Sequence, residues 1–255
     1  MLAKVLVCFF AGMGAGLGTG FAGMSAAAAI TPMLIAFLGM EAYQAVGIAL
    51  ASDVLASAVS AWTYGKNKNL DIKNGAVMMA AVLGFTLVGS YVSSLVPNRA
   101  MGGFSMFMTL MMGIKFIVRP VMTTKEKSEA ADAKTRFIRS LFSGALVGFI
   151  CGFVGAGGGM MMLLVLTSLL GYDLKTAVGT SVFIMTFTAF TGSVSHFAIG
   201  GIGDGTSLVL CVISTLFWAR IAARFANKAE PAVLNRATGV VLTVLGLAII
   251  LVNYF

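Results

Sequence analysis

The sequence predicts an all-α integral membrane protein made of two inverted-topology repeats, each a glycine-broken (re-entrant) helical hairpin followed by three transmembrane helices. Three observations predict this fold: the composition, the lengths of the apolar segments, and an internal match between the two halves. Of the 255 residues, 59% are hydrophobic and 10% are charged, and the mean hydropathy is +0.98. Soluble domains carry about 25% charged residues. A long chain with so few charges therefore belongs in a lipid bilayer.

Apolar blocks divide the chain, and their lengths predict the helices. A membrane-spanning helix needs about 20 residues, and six of the eight blocks fit one span each. The remaining two, 4–38 and 139–170, are too long for one span and short for two, and each has a glycine cluster near its middle. That length fits a hairpin of two short helices. In order, the blocks cover residues 4–38, 44–64, 75–96, 100–118, 139–170, 176–199, 206–222 and 237–252.

The last four blocks repeat the first four. Sliding the sequence against itself by 132 residues brings glycines and non-glycine stretches into register, and a slightly larger shift brings Asn98 onto Asn235. The shared order and spacing predict an internal duplication, with an N-terminal membrane repeat at 1–118, a linker at 119–138 and a C-terminal membrane repeat at 139–255. The matched positions include Gly12 with Gly144, Gly16 with Gly148, Gly20 with Gly152, Gly23 with Gly155, and Ala45-Val46-Gly47 with Ala177-Val178-Gly179.

Basic residues predict the orientation, because loops rich in Lys and Arg stay in the cytoplasm. They cluster in the loop after the second block, in the linker 119–138, and in the loop before the last block. The loops near Glu41 and Asp204 contain no Lys or Arg, so we expect them outside. Counting the crossings then gives two halves of opposite orientation, with the linker in the cytoplasm and both termini outside. Lys4 stands against this arrangement.

The run from Gly144 to Gly159 ends in three consecutive glycines. Glycine lowers helix propensity, and within a bilayer a loosened backbone needs protein or a water-filled cavity around it. We therefore interpret this run as the tip of a broken helix that faces a buried ligand site. Where a half-helix begins, its free N–H groups and positive dipole end favour an anion. The predicted substrate-binding residues are Gly155, Ala156, Gly157, Gly158 and Gly159 in the second half and Gly23, Met24 and Ser25 in the first.

The glycines also have a purely structural interpretation, in which they only allow helices to pack closely. We favour that interpretation for the six that precede the breaks: Gly12, Gly16, Gly20, Gly144, Gly148 and Gly152. Inverted halves with a broken hairpin in each are typical of secondary transporters. We therefore expect a transporter that moves a small anion by alternating access.

Specific motifs point to a family. Residues 152–159 read Gly-Phe-Val-Gly-Ala-Gly-Gly-Gly, a short apolar arm follows, and Ala177-Val178-Gly179-Thr180-Ser181 opens the next helix. In these motifs, and through the duplication over nearly its whole length, the chain resembles the TauE/SafE family of sulfite and organosulfur anion exporters. The resemblance implies an all-helical bundle in the bacterial cytoplasmic (inner) membrane that exports sulfite, sulfonates or related small anions, coupled to protons. The first half departs from the motif, since Gly23-Met24-Ser25 replaces the glycine cluster, which predicts that the binding groups come mostly from the second half.

Asp53 is the candidate for proton coupling. It lies near the middle of block 44–64, and its counterpart in the second half is Met185. A carboxylate inside a membrane is a functional candidate, and its negative charge fits proton carriage better than contact with an anion. The alternative is a structural Asp bonded to nearby hydroxyls such as Ser52 or Ser57.

Other polar residues have two interpretations each. The hydroxyls of Thr180 and Ser181 are candidates to bind a sulfonate, and the alternative is that they bond the carbonyls of their own helix. His196, the single histidine of the chain, is a candidate proton relay or a structural residue. Trp62 and Tyr64 fit the aromatic belt at the membrane interface.

Two other functions are compatible with parts of this sequence. An anion channel would share the inverted hairpins and need no coupling residue. An intramembrane hydrolase would use Ser181 and His196 as nucleophile and base, but on one helix they would lie about 22 Å apart. We therefore expect no enzyme activity. We also expect no metal or cofactor and no nucleic-acid partner, so that the partners are a small anionic substrate, protons and membrane lipid.

Overall fold

A computed structural model of the chain describes residues 1–97, 133–155 and 158–230, together with isolated positions between 107 and 118 and between 232 and 247. The predicted blocks 100–118 and 237–252 lie almost entirely outside the described residues, as does most of the predicted linker. Within the described ranges every regular element is a helix. The helices are α1 Leu2–Ala22, α2 Ala27–Leu38, α3 Ala42–Lys66, α4 Ile72–Ser94, α5 Ala133–Val154, α6 Gly158–Leu164, α7 Leu174–Gly200 and α8 Gly205–Ala226.

Long apolar helices dominate the described part of the chain. Five segments are long and apolar enough to cross a membrane: those in α1, α3, α7 and α8, and residues Gly75–Ser94 of α4. Many large apolar side chains on these helices point outward; Trp62 is 66% exposed and Phe217 is 58% exposed. An outer surface of this kind fits lipid and not water. The prediction of an all-α, multi-pass membrane protein is confirmed.

Small residues let two pairs of helices pack backbone to backbone. α1 lies along α8, where a methyl group added to Gly16 would come 2.7 Å from the Ala219 nitrogen. α5 lies along α4, where a methyl group on Gly148 would come 2.8 Å from the Val82 Cα. Gly12, Gly20, Gly144 and Gly152 make similarly close approaches to the same two partner helices. The prediction that these six glycines are packing residues is confirmed.

The helical hairpins differ from the expected pair of short helices. The first arm, α1, has 21 residues, and only the second arm, α2, is short with 12. α5 has 22 residues and begins at Ala133, within the range assigned to the linker. Its return arm is α6, which continues through one π-type turn over Val165–Leu169. The first arms are longer than expected because their glycines pack against a neighbour and remain helical.

Contacts between loops define two ends of the bundle. At one end, the Asp204 end, Lys4 Nζ lies 2.6 Å from Asp204 Oδ2, and Gly203 lies against Gln44 at the start of α3. At the other end, the Asn227 end, the Lys175 ammonium donates to the Asn227 carbonyl at 2.8 Å. The loop that joins α3 to α4 also reaches the Asn227 end, since the Asn69 amide donates to Asn227 Oδ1 at 2.9 Å. Lys4, which stood against the predicted orientation, is therefore neutralised by the acidic loop beside it.

Candidate functional site

The first break in the helices follows α1. Gly23 has φ 63°, in the left-handed region that favours glycine. Its N–H donates to the Thr19 carbonyl at 3.0 Å, and the Met24 N–H donates to the Gly18 carbonyl at 3.3 Å. The first of these is the single bond of the αL capping motif, which ends a helix and satisfies one of its last carbonyls. The chain then turns, and α2 begins three residues later.

The second break follows α5. Gly155 has φ 71° and donates its N–H to the Cys151 carbonyl at 2.8 Å. Two predicted site residues, Ala156 and Gly157, lie outside the described residues. Gly158 and Gly159 open α6 and are buried. A methyl group on Gly158 would come 2.8 Å from the Cys151 Cβ, so the return arm lies tightly against the arm before it.

The two breaks contact each other. The Ser25 hydroxyl, from the first break, donates to the Gly155 carbonyl at 2.8 Å, although the residues are 130 positions apart. Gly159 lies with its Cα against the backbone of Gly23 and Ser25, where a side chain would collide. Gly23, Ser25, Gly155 and Gly159 are all buried. The structure therefore brings these four candidate residues, two from each half, together.

Asp53 lies at the first break. Its side chain has no exposed surface, and Oδ2 accepts a hydrogen bond from the Ala26 N–H at 3.1 Å, at the start of α2. Oδ1 accepts from the Ser57 hydroxyl at 2.8 Å. Of the two hydroxyls proposed as structural partners, Ser57 is thus bonded to Asp53, and Ser52 instead donates to the Ile48 carbonyl. A protein carboxylate occupies the helix N-terminus that the first break offers to an anion.

Thr180 and Ser181 are directed to different places. The Thr180 hydroxyl accepts from the Asp71 N–H at 3.0 Å, in the loop between α3 and α4. The Ser181 hydroxyl donates to the Val178 carbonyl of its own helix at 2.8 Å and lies against Gly23 at the first break. Ser181 is therefore adjacent to the paired breaks, and the Thr180 hydroxyl is turned towards a loop.

His196 is held between two backbone carbonyls. Its Nε2 atom lies 3.0 Å from the Gly152 oxygen near the end of α5, and Nδ1 lies 3.2 Å from the Tyr43 oxygen at the start of α3. The ring also stacks on the Tyr43 ring, with centroids 4.2 Å apart. Ser181 and His196 therefore each lie in hydrogen-bond distance of a different backbone carbonyl. This agrees with the large separation along one helix that argues against a nucleophile–base pair.

Tyr64 is a residue that the sequence reasoning missed. The interfacial belt predicts an exposed ring, but Tyr64 is only 1% exposed, and its hydroxyl donates to the Gly20 carbonyl at 3.0 Å. The prediction was wrong for Tyr64 because α3 is apolar on most sides, so its sequence does not show which side is buried. Trp62, two residues earlier, is on the outer surface. The internal duplication is the signal that could have identified Tyr64, because the shift of 132 residues aligns Tyr64 with His196.

One crevice in the described part of the chain lies away from the breaks. A crevice of about 520 Å³ opens on the outer surface between α3 and α7, next to Trp62, Lys66 and Phe187. Its walls are mostly apolar side chains of the lipid-facing surface. Among the described residues there is no group of three or more His, Cys, Asp or Glu side chains that could hold a metal ion.

The comparisons with known proteins agree with this architecture. The profile of a family described as sulfite exporter TauE/SafE matches residues 8–249. The chain belongs to the TauE/SafE family. No solved structure matches this one.

Curated relatives of this TauE/SafE chain are named as transporters. It is 25% identical to the probable membrane transporter protein YunE of Bacillus subtilis, over 94% of this chain and 92% of the relative. It is 24% identical to the probable membrane transporter protein YdhB of the same organism, over 92% of this chain and 96% of the relative. These names are those of transporters and not of enzymes, which confirms the expectation that the chain is not an enzyme.

Proposed function

We propose that the chain is a secondary transporter that moves a small organosulfur or sulfite-like anion across the cytoplasmic membrane by alternating access, in the direction of export and coupled to protons. The observation that carries the proposal is the contact between the two breaks. Ser25 of the first break bonds Gly155 of the second, and the Asp53 carboxylate lies beside them at the start of α2. The description of the family, sulfite exporter, supports the choice of anion.

The packing supports two inverted repeats. Each opening helix packs on a helix of the other half, α1 on α8 and α5 on α4. Each contacted residue of α8 is separated from the corresponding residue of α4 by the same number of positions that separates Asn235 from Asn98. The two interfaces therefore use residues that the duplication makes equivalent. The equivalent contacts are Gly16 with Ala219 and Gly148 with Val82, and Gly20 with Ala223 and Gly152 with Thr86.

The short return arms support breaks that lie within the membrane. α2 has 12 residues, and α6 with its π-type turn covers residues 158–169. At 1.5 Å per residue each is about 18 Å long, and a bilayer core is about 30 Å thick. We infer that α1 and α2 enter and leave from the Asp204 end and that α5 and α6 do so from the Asn227 end. In this arrangement the Asn227 end and the linker 119–138 are cytoplasmic, and both termini are outside.

The anion site proposed here is asymmetric. In the first half, the Asp53 carboxylate bonds the Ala26 N–H. The equivalent positions in the second half are Met185 and Gly158, so the second half has no counterpart of the Asp53 carboxylate. Met185 is buried in a cluster with Cys151, which contacts Gly158. We therefore place the substrate oxygens at the second break, on residues 155–159, and propose that the Ser25 hydroxyl contributes from the first half by exchanging its bond to the Gly155 carbonyl for one to the substrate.

The proposal of proton coupling rests on how close Asp53, at the first break, lies to the anion site at the second break. Because the two breaks contact each other, an ionised Asp53 would repel an anion bound at the second break. Protonation of Asp53 removes that repulsion, so the anion and the proton bind together. Each then makes binding of the other more favourable, as linked sites require.

The test is sulfite counterflow in proteoliposomes, measured as a function of pH. Native protein should show saturable counterflow that strengthens as pH falls. Asp53→Asn keeps the size of the side chain and removes the charge, so its counterflow should continue and lose its pH dependence. Asp204→Asn makes the same chemical change in a loop and serves as the matched control, with a native pH profile expected.

Two results would overturn the proposal. Asp53→Asn protein with the native pH profile would remove Asp53 from the coupling. Ohmic single-channel current, without saturable counterflow, would show that the chain is an anion channel.

A further inference from the structure

The two halves hold their broken helices with equivalent side chains. Tyr64 donates to the Gly20 carbonyl, and His196 lies in hydrogen-bond distance of the Gly152 carbonyl. The shift of 132 residues that matches Gly20 with Gly152 also matches Tyr64 with His196. In each half, therefore, a side chain near the end of the helix after the hairpin reaches the last turn of the arm before the break.

The surroundings of the two side chains are equivalent as well. Gly47 of α3 lies against His196, where a methyl group on the glycine would come 3.3 Å from the His196 Cβ. Gly179 of α7 lies against Tyr64, at 2.9 Å by the same measure. Gly47 and Gly179 are themselves a matched pair in the duplication. Tyr64 and His196 therefore occupy the same place in the two halves.

The carbonyls that they bind belong to helix ends. α1 ends at Ala22 and α5 at Val154, so Gly20 and Gly152 are among the last carbonyls, which have few intrahelical partners. A donor at this position satisfies a buried acceptor, and a cation there also complements the negative end of the helix dipole. The bonds to Gly20 and Gly152 thus fasten each first arm at its break.

The two donors differ in chemistry. A phenol has an ordinary pKa of about 10, so Tyr64 donates at any physiological pH. Both ring nitrogens of His196 face carbonyl oxygens, Gly152 on one side and Tyr43 on the other, and carbonyls only accept. A neutral imidazole has one N–H and an imidazolium has two. Only the imidazolium can make both bonds.

We propose that Tyr64 and His196 are equivalent latches on the two hairpins, and that His196 makes the second latch depend on protonation. With His196 protonated, the end of α5 is bonded to α7 and, through the ring, to the start of α3. Loss of the proton removes one of the two bonds and frees the second break to move. The titratable and charged residues of the two helices that the ring contacts are Tyr43, Asp53, Tyr64 and Lys66 of α3 and Lys134, Arg136, Arg139 and Cys151 of α5, and the exposed Glu41 precedes α3. This inference does not rest on the identity or direction of the substrate, and its tests use no substrate.

The first test reads the protonation of His196 directly. His196 is the only histidine, so protein made with ¹⁵N-histidine and a histidine-free affinity tag gives the signals of one imidazole by NMR. We expect both nitrogens to carry protons at the acidic end of a titration between about pH 5 and pH 9, and one nitrogen to lose its proton within that range. A single neutral tautomer throughout would overturn the proposal.

The second test reads the release of α5. Cys151 is fully buried and precedes Gly152, so its alkylation by N-ethylmaleimide reports movement of this helix end when Cys8 and Cys211 are replaced by Ala. The rate is divided at each pH by that of His196→Gln protein, which keeps an N–H donor that does not titrate. The division cancels the pH dependence of the thiol. We expect this ratio to rise by roughly three- to tenfold as pH rises through the titration, which corresponds to one hydrogen bond of ordinary net strength.

Two further variants complete the design. His196→Tyr gives the second half the donor that the first half has, and its profile should match that of His196→Gln. Tyr64→Phe removes the latch on the other hairpin and should keep the native pH profile at Cys151. A ratio that stays flat with pH, or a native profile in both His196 variants, would overturn the proposal.

Discussion

Asp53 has two carboxylate oxygens, and each has a donor within the protein. The Ala26 N–H binds one and the Ser57 hydroxyl binds the other, in a place where the carboxylate has no exposed surface. The cost of burying a charge is large unless hydrogen bonds offset it. Ser57 therefore contributes to stability through Asp53, independently of any role in transport.

Replacement of Ser57 by Ala should destabilise the protein by about 1.5–3 kcal/mol, the usual contribution of a hydrogen bond to a charged group. Ser60, on the same helix and equally buried, is the matched control, because its hydroxyl has no hydrogen-bond partner in the described part of the chain. Ser60→Ala should be neutral or stabilising. Unfolding in SDS titrations, read for both variants, checks the difference, and equal losses would contradict it.

Some of this site could be predicted from sequence. Gly23 and Gly155 were identified as breaks because a glycine cluster in an apolar segment of that length has few other interpretations. The Thr180–Asp71 and Asp53–Ala26 contacts could not be predicted, because they join residues whose separation in space depends on the packing of several helices. The sequence of α3 also does not show which side of the helix is buried. For this reason it predicts an interfacial position for Tyr64, which is buried.

At the scale of the helices, close packing depends on which side of α4 and α5 each glycine occupies. Gly148 faces the α4 backbone, whereas no described residue lies within 4 Å of the place where a methyl group on Gly84 of α4 would lie. The two glycines have the same propensity cost in a helix. Their different surroundings should therefore give opposite effects on substitution.

Gly148→Ala should destabilise by about 1–3 kcal/mol, because the methyl group forces the α4 and α5 backbones apart. Gly84→Ala should stabilise by up to about 1 kcal/mol through helix propensity alone. The midpoint of thermal unfolding in detergent, measured for both variants, distinguishes them. A loss of stability in Gly84→Ala as large as in Gly148→Ala would show that the packing of α4 differs from that described here.

At the scale of the whole molecule, the loops at the two ends of the bundle should lie on opposite sides of the membrane. Single cysteines at Glu41 and Ile202 mark the Asp204 end, and single cysteines at Lys68 and Asp173 mark the other. With the native cysteines replaced, an impermeant maleimide applied to intact cells should label the first pair. The second pair should react only after the membrane is opened. Labelling of positions 41 and 173 from the same side would contradict the inverted arrangement.

The ion pair between Lys4 and Asp204 predicts a pH dependence of stability. The hydrogen bond from Lys4 is the largest cause that lowers the pKa of Asp204 from its ordinary value of 3.8 to about 2. Because the folded-state pKa is the lower one, this contribution is complete above the ordinary pKa and is lost as pH falls towards 2. The pair is partly exposed, so we expect at most about 1 kcal/mol. A double-mutant cycle of Lys4→Met and Asp204→Asn, read at neutral and acidic pH, should show the coupling only at neutral pH.

The packing of α1 against α8 has a consequence for biosynthesis. The Ser214 hydroxyl of α8 donates to the Phe9 carbonyl of α1, 205 residues away in the chain. At ordinary rates of translation, α1 leaves the ribosome on the order of 10–40 seconds before α8 exists. During that interval the glycine-lined face of α1 that packs on α8 contacts lipid or the insertion machinery instead. The partner of α5, in contrast, is α4, which is synthesised before it. In a truncated chain that ends before α8, the first helix would lack its packing partner, and we expect membrane quality control to degrade such a chain.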